Sequence, residues 1–198
     1  TPGVTVRPIL NMTGGHEFNQ VFFDDVRVPK SNRVGEENRG WYVAVTLLDF
    51  ERSGVDYSAC ARRLVDDTAD YASKTGTNGG APAGGSWVRN ALTDCYIEAE
   101  ACRLLAYRVA WMQEQGMMPN MEASMSKVMG SETLNRTAST CLEVLDLYGV
   151  LKPGDSRAPM KGRVPEQWMN SFSGTIAAGT SEVQRNIIAT RGLGLPRG

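Results

Sequence analysis

The sequence is poor in the residue types on which most metal and nucleophilic sites depend. His16 is its single histidine, which excludes paired-histidine metal sites and leaves little room for Ser-His or Cys-His catalysis. The four cysteines show no CxxC spacing, so they indicate a reducing cytoplasm rather than a disulfide framework or a zinc site. Cys95 and Cys102 stand two helical turns apart, which predicts one shared buried face. The sequence therefore predicts a cytoplasmic protein without a metal.

Charge of one sign and long apolar runs are also scarce. The 21 Lys+Arg residues balance 22 Asp+Glu residues at a net charge of -1, which excludes a broad basic surface and with it nucleic acid as a partner. No apolar stretch approaches the ~20 residues of a membrane span. None of the glycine pairs lies in a strand–GxGxxG–helix or GxxxxGKS context, so no phosphate loop is predicted. The composition is that of an ordinary globular protein of 198 residues, long enough to bury a core unaided.

Two short β-strands are predicted before residue 40. Residues 4–9 alternate in polarity, and residues 19–28 are rich in valine and phenylalanine. Gly14 and Gly15 provide a turn between the strands, and Pro29 ends the second strand because it cannot donate to a ladder. Two strands alone are marginal, and the chain opens without a methionine. We therefore expect these strands to complete a sheet that belongs to a longer protein.

From Gly40 onward the apolar residues recur with the period of a helix. The pattern predicts five helices, at residues 40–73, 86–116, 120–148, 166–172 and 181–191. A glycine-rich, flexible linker is predicted over residues 75–85. The second helix is predicted to bury an apolar stripe of Val88, Leu92, Ile97, Leu104, Leu105, Val109 and Met112. The expected fold is mostly α: an antiparallel four-helix-bundle-like domain preceded by a two-strand remnant of a β-domain.

Glu51 is a candidate general base, because it lies in the mostly apolar helical turn LLDFER. Arg52 follows it directly, but neighbouring side chains on a helix do not face each other, so Arg52 does not simply neutralise Glu51. Spacing alone favours a solvated surface position for Glu51. The other interpretation is a partly buried base with a raised pKa.

A second candidate site is the start of the last helix. Small residues lead into Thr180 and Ser181, either of which would cap that helix. The free N–H groups and positive dipole end of a helix start suit an anion or the polar edge of a cofactor. An ordinary capped helix is the alternative, and the pattern alone favours it.

Three segments, in order along the chain, carry a family resemblance. Residues 18–29 (FNQVFFDDVRVP), 32–41 (NRVGEENRGW) and 179–189 (GTSEVQRNIIA) resemble motifs of the acyl-CoA dehydrogenases. The resemblance implies that residues 1–38 are the end of the middle β-domain and that residues 39–198 are the C-terminal helical domain. It also implies that an N-terminal helical domain and most of the β-domain lie outside this sequence, so the isolated chain is expected to be inactive.

The resemblance implies a reaction as well. The family uses FAD to convert an acyl-CoA thioester to its 2,3-enoyl-CoA, with electron-transfer flavoprotein as the expected electron acceptor. A glutamate takes the α-proton, and that proton is acidic enough only when preorganised donors polarise the thioester oxygen. In the family, one of those donors is a backbone N–H beside the C-terminal signature.

The chain departs from the family at the signature. Many members read Tyr-Glu-Gly-Thr where this sequence has Ala177 to Thr180 (AAGT), so the usual base is absent while the backbone N–H remains. A minority of members place the base on the first helix of the C-terminal domain, directly before an arginine, as Glu51 stands before Arg52. The resemblance therefore assigns the catalytic role to Glu51. It assigns substrate binding to Asp49, Arg52, Ala178 and Gly179, and cofactor binding to Thr180 and Glu182.

The chain also departs from the family where a neighbouring subunit's flavin is gripped. The usual Arg-x-x-Phe-Gly aligns with residues 75–79 (TGTNG), and the glutamine of Gln-x-x-Gly-Gly aligns with Asp146. An aspartate would repel a diphosphate. We therefore expect a heteromer in which a paralogous subunit supplies the grip, with an identical subunit as the other partner considered. A non-catalytic structural partner is the alternative function, and an unrelated helical interaction module is a remote third.

Overall fold

A computed structural model describes residues 1–51, 54–75 and 86–196, without the side chains of residues 49–51. These residues form two compact units, Thr1–Leu47 and Leu48–Gly198. Within the described part, none of the helices combines the length and the apolar character needed to span a membrane. The domain boundary expected between residues 38 and 39 stays a prediction.

The first unit contains an antiparallel hairpin of β1 (Val4–Ile9) and β2 (Phe18–Phe23), with Val4 paired to Phe23 and Ile9 to Phe18. Every residue of β2 is exposed. The prediction that the second strand continues to residue 28 was wrong. Asp25 adopts a left-handed φ of 46°, which ends the extended backbone two residues after the ladder.

In the described part of the chain, six α-helices follow the hairpin: α1 (Gly40–Glu51), α2 (Val55–Thr75), α3 (Ser86–Glu114), α4 (Asn120–Leu145), α5 (Arg163–Gly174) and α6 (Ser181–Ile187). The single helix predicted over residues 40–73 was wrong. Gly54 has a φ of 71°, a left-handed conformation that glycine adopts without steric cost and that no α-helix contains. The chain therefore begins a new helix at Val55. The predicted linker lies outside the described residues, apart from Thr75, which ends α2.

The core of the second unit lies among α2, α3 and α4, to which Val164 of α5 adds one buried side chain. The buried positions of α3 recur at alternating spacings of four and three residues: Val88, Leu92, Cys95, Ala99, Cys102, Ala106 and Val109. Cys95 and Cys102 share this face, as predicted. The predicted stripe was wrong at Ile97 and Leu104, which are 59% and 60% exposed. The buried face of α3 instead carries alanine and cysteine beside its larger residues. Their small side chains allow neighbouring helices to approach closely.

The end of α4 also differs from the prediction. The helix was expected to reach Tyr148, but Asp146 takes a φ of 51° after Leu145. A short 3-10 segment over Asp146–Val150 then follows, and its Gly149 is buried against the last turn of α4. A second 3-10 segment, Pro159–Gly162, precedes α5, and one π-helical turn, Ile188–Gly192, follows α6.

Candidate active site

A tight turn between α5 and α6 carries three of the predicted site residues, Ala178, Gly179 and Thr180. Three residues beyond the end of α5, the amide of Ala177 donates to Ser173 O at 2.8 Å. Ala178 and Gly179 then adopt left-handed φ values of 54° and 92°. Ser181 N closes the turn on Thr175 O at 3.0 Å. We call residues 177–180 the signature turn.

The amide of Ala178 is an open hydrogen-bond donor. Ala178 is exposed, and no bond from its N–H to any described residue is found. A backbone donor without an acceptor is free to bind an oxygen atom of a ligand. The side chain at this position is a methyl group, so the signature turn offers a donor and no carboxylate.

Thr180, one of the two predicted candidates, is the N-cap of α6. Its Oγ1 accepts a hydrogen bond from Val183 N at 3.3 Å. Glu182, in the first turn of α6, is exposed, and hydrogen bonds from its own backbone N–H and from the Thr180 hydroxyl lower the pKa of its carboxyl group. The two predicted cofactor-binding residues therefore lie together, and the carboxylate of Glu182 is ionised at neutral pH.

Gln184 of α6 contacts the signature turn and was not predicted from the sequence. Its side chain is fully buried, and its Nε2 donates to Ala178 O at 2.9 Å and reaches Gly179 O at 3.5 Å. Gly179 makes room for this amide, because a Cβ on Gly179 would lie 2.5 Å from Gln184 Nε2. The one available signal was spacing: Gln184 stands three residues after Ser181, on the same face of α6.

Three predicted residues on the first helix are not tested by the structure. Glu51 is the last residue of α1 and Asp49 lies within it, but their side chains are outside the described residues. Arg52 is outside them entirely. The catalytic role of Glu51 and the binding roles of Asp49 and Arg52 stay predictions.

The positions that align with the family's flavin grip are partly described. Thr75 Oγ1 donates to Tyr71 O at 2.9 Å within its own helix. Asp146 is exposed, so it presents a negative charge to solvent. Residues 76–79 of the aligned motif, including Asn78, lie outside the described residues.

A groove of about 640 Å³ opens between α2 and α3. Its lining residues do not include any residue of the signature turn. Charged side chains that line the groove form salt bridges with one another. Glu100 accepts from Arg62 at 2.8 Å and from Arg103 at 2.6 Å, and Arg62 also pairs with Asp66 at 2.9 Å. The hydrogen bond from Arg103 lowers the pKa of Glu100. Charges that are satisfied by each other hold two helices together, so this groove is a structural feature.

The class of protein follows from the bundle and the signature turn together. Residues 38–193 match the family model described as acyl-CoA dehydrogenase, C-terminal domain. The chain belongs to the acyl-CoA dehydrogenase family, whose members are FAD flavoproteins. This confirms the resemblance and the fold class, and it confirms the cofactor prediction for the family.

Particular relatives show which branch of the family this chain is similar to. It is 32% identical to acyl-CoA dehydrogenase FadE26 of Mycobacterium tuberculosis over 98% of this chain and 50% of that protein. The solved Tcur3481-Tcur3483 steroid ACAD covers the whole chain at 29% identity and a TM-score of 0.90. The ChsE4-ChsE5 complex of M. tuberculosis covers 99% of the chain at 30% identity and a TM-score of 0.85. The chain spans about half the length of each of these proteins.

Proposed function

We propose that this chain is part of an enzyme that removes two hydrogens from an acyl-CoA thioester and forms the 2,3-enoyl-CoA. The observation that carries the proposal is the open amide of Ala178 in the signature turn. Its N–H would donate to the thioester carbonyl oxygen, on which negative charge develops as the α-proton leaves. A preorganised donor of this kind contributes about 2.7–4 kcal/mol to transition-state stabilisation in enzymes.

The α-proton goes to Glu51 in this proposal. Ala178 carries no carboxylate, so the base must come from elsewhere, and Glu51 precedes Arg52 as in members with a base on the first helix. The C–H electron pair at the α-carbon becomes the new double bond. Asp49 and Arg52 would lie beside the substrate, and Gly179 would line the thioester with Ala178.

FAD, when bound, accepts the hydride that leaves the β-carbon. Thr180 and Glu182 are the residues of the signature turn and α6 that would hold it. Their side-chain oxygens fit hydroxyl and N–H groups of a ligand, because a hydroxyl oxygen and an ionised carboxylate accept hydrogen bonds. It does not fit a diphosphate, which the carboxylate would repel. Electron-transfer flavoprotein is the proposed acceptor of the electrons, and the cytoplasmic location rests on the cysteine spacing.

A heteromer with a sister dehydrogenase is the proposed assembly. The negative charge of Asp146 stands where the family uses glutamine to reach a neighbour's flavin, so a second copy of this chain would grip FAD poorly. Similarity to the ChsE4-ChsE5 complex and to a steroid ACAD supports this assembly. The same similarity makes a steroid side-chain thioester one substrate class to test beside fatty acyl-CoA.

A non-catalytic structural partner is the second candidate function. Alanine at position 178 favours it, because the signature turn of this chain cannot supply a base. In that case the chain would complete a sister subunit and perform no proton transfer of its own.

The replacement Glu51→Gln separates the two functions. It removes the base and keeps the size of the side chain, so turnover of the complete enzyme should fall by about two to four orders of magnitude. Binding of acyl-CoA should change little. Glu114→Gln, an exposed change at the end of α3, serves as the control and should retain full turnover. Equal activity of Glu51→Gln and wild type would favour the structural partner.

A further inference from the structure

We propose that Gln184 is a positioning residue that fixes the direction of the Ala178 amide. The inference rests on the proposed function, in which this amide polarises the thioester. Gln184 is fully buried, whereas the turn that it holds is on the surface. A buried side chain has one packed position, so it can act as a fixed point for an exposed turn.

The signature turn needs such a fixed point because its own conformation is costly. A left-handed φ is unfavourable for an L-residue because its Cβ comes too close to the following carbonyl oxygen, and Ala178 adopts one at 54° beside Gly179 at 92°. The methyl side chain of Ala178 is exposed and holds nothing in place. The backbone must therefore be held through its hydrogen bonds.

Those hydrogen bonds lie on either side of the open amide. The amide of Ala177 donates to Ser173 O at 2.8 Å, one residue before the Ala178 N–H. The carbonyl of Ala178 accepts from Gln184 Nε2 at 2.9 Å, directly after it. With both neighbours bound, the Ala178 N–H cannot rotate freely, and its direction is set by Gln184 on one side and by α5 on the other.

Only a side chain that donates can occupy the position of Gln184. Nε2 faces two carbonyl oxygens, those of Ala178 and Gly179. A carboxylate in the same place would repel both, and an apolar side chain would leave both without this donor. A protonated carboxyl would again donate one hydrogen bond.

Gln184→Met and Gln184→Glu test the inference in the complete enzyme. Gln184→Met should lower kcat by about tenfold to a hundredfold, less than the loss of an entire oxyanion donor, because the Ala178 N–H is misdirected rather than removed. KM should change little. Gln184→Glu should be as defective while its carboxylate is ionised and repels both carbonyl oxygens. Measured against wild type at the same pH, it should recover as a lower pH protonates the introduced carboxyl.

Hydrogen exchange gives a readout that does not depend on activity. The amides of Ala177 and Ser181 close the signature turn, so their exchange should speed up by about tenfold or more in Gln184→Met. Val109→Ala, a fully buried change in α3, is the control for a general loss of packing. It should leave kcat and the exchange of these two amides close to those of the wild type.

Two results would overturn the inference, and a third would overturn the proposed function instead. Wild-type kcat and slow exchange at Ser181 in Gln184→Met would overturn the inference. So would a loss of kcat no larger than that of Val109→Ala, with faster exchange spread evenly over α2, α3 and α4. A wild-type enzyme with no acyl-CoA dehydrogenation is a separate result that overturns the proposed function before any variant is compared.

Discussion

Replacing Gly179 by alanine should destabilise the second unit by more than its backbone conformation alone predicts. The φ of 92° at Gly179 is in the left-handed region, where an alanine costs about 1–2 kcal/mol. The added Cβ would also lie 2.5 Å from Gln184 Nε2. That atom is the far end of a flexible side chain, so the amide would move away and give up its bond to Ala178 O.

The displaced amide sets the size of the additional effect. Loss of one hydrogen bond costs about 0.5–1.5 kcal/mol, and a buried donor left without a partner costs more. The total expected for Gly179→Ala is about 2–4 kcal/mol of unfolding free energy. Urea denaturation followed by circular dichroism measures it, provided that the slope of the transition stays unchanged.

Gly116→Ala is the matched control. Gly116 follows α3 with a φ of 70°, and a Cβ there would meet no atom within 4 Å, so this change carries the backbone cost without a contact. Gln184→Ala truncates the side chain that the added Cβ would meet, and in that background Gly179→Ala should cost only as much as Gly116→Ala. The reasoning is refuted if the two glycine replacements cost the same in the wild-type background, or if the excess persists without Gln184.

Two further predictions concern thiols and flavin. In the folded protein at pH 8 a maleimide should modify Cys60, which is exposed, and spare Cys141, which is fully buried. Burial also raises the pKa of the Cys141 thiol to about 12. If mass spectrometry finds Cys141 modified before unfolding, the packing of α4 is contradicted. Because Asp146 cannot grip a diphosphate, we expect about one FAD per pair of unlike subunits, and only poor FAD retention in the full-length protein purified alone. Flavin absorbance per chain measures this, and stoichiometric FAD in the protein purified alone would leave a homo-oligomer.

Regular periodicity made most of the fold predictable. The change from period two to period 3.6 at Gly40 separated the hairpin from the helices. Thr180 and Ser181 were both candidate caps because hydroxyl residues favour that position, and the structure selects Thr180. The face shared by Cys95 and Cys102 followed from their spacing on one helix. These features depend on residues close together in the chain, which a single sequence records directly.

The errors came from conformations that a residue type permits without requiring. Gly54 sits within a helical pattern, and a glycine there is compatible with a continuous helix or with the left-handed φ that it adopts. Asp146 takes a positive φ although it is not a glycine. Ile97 and Leu104 were placed in the core because α3 has two apolar faces, and only the packing of α2 and α4 decides which one is buried.

The signature turn keeps a hydrogen-bond donor, the Ala178 N–H, although it carries no carboxylate, and this has a physical explanation. A side-chain base disappears when alanine stands at position 178, but a main-chain N–H belongs to every residue except proline. What the donor needs is the unusual backbone of Ala178 and Gly179, and that backbone is held by Gln184 from the buried side of α6. In the proposed reaction the two parts of the chemistry are therefore separable. The base would come from another helix, as we propose for Glu51, and the signature turn would still supply the N–H that polarises the thioester.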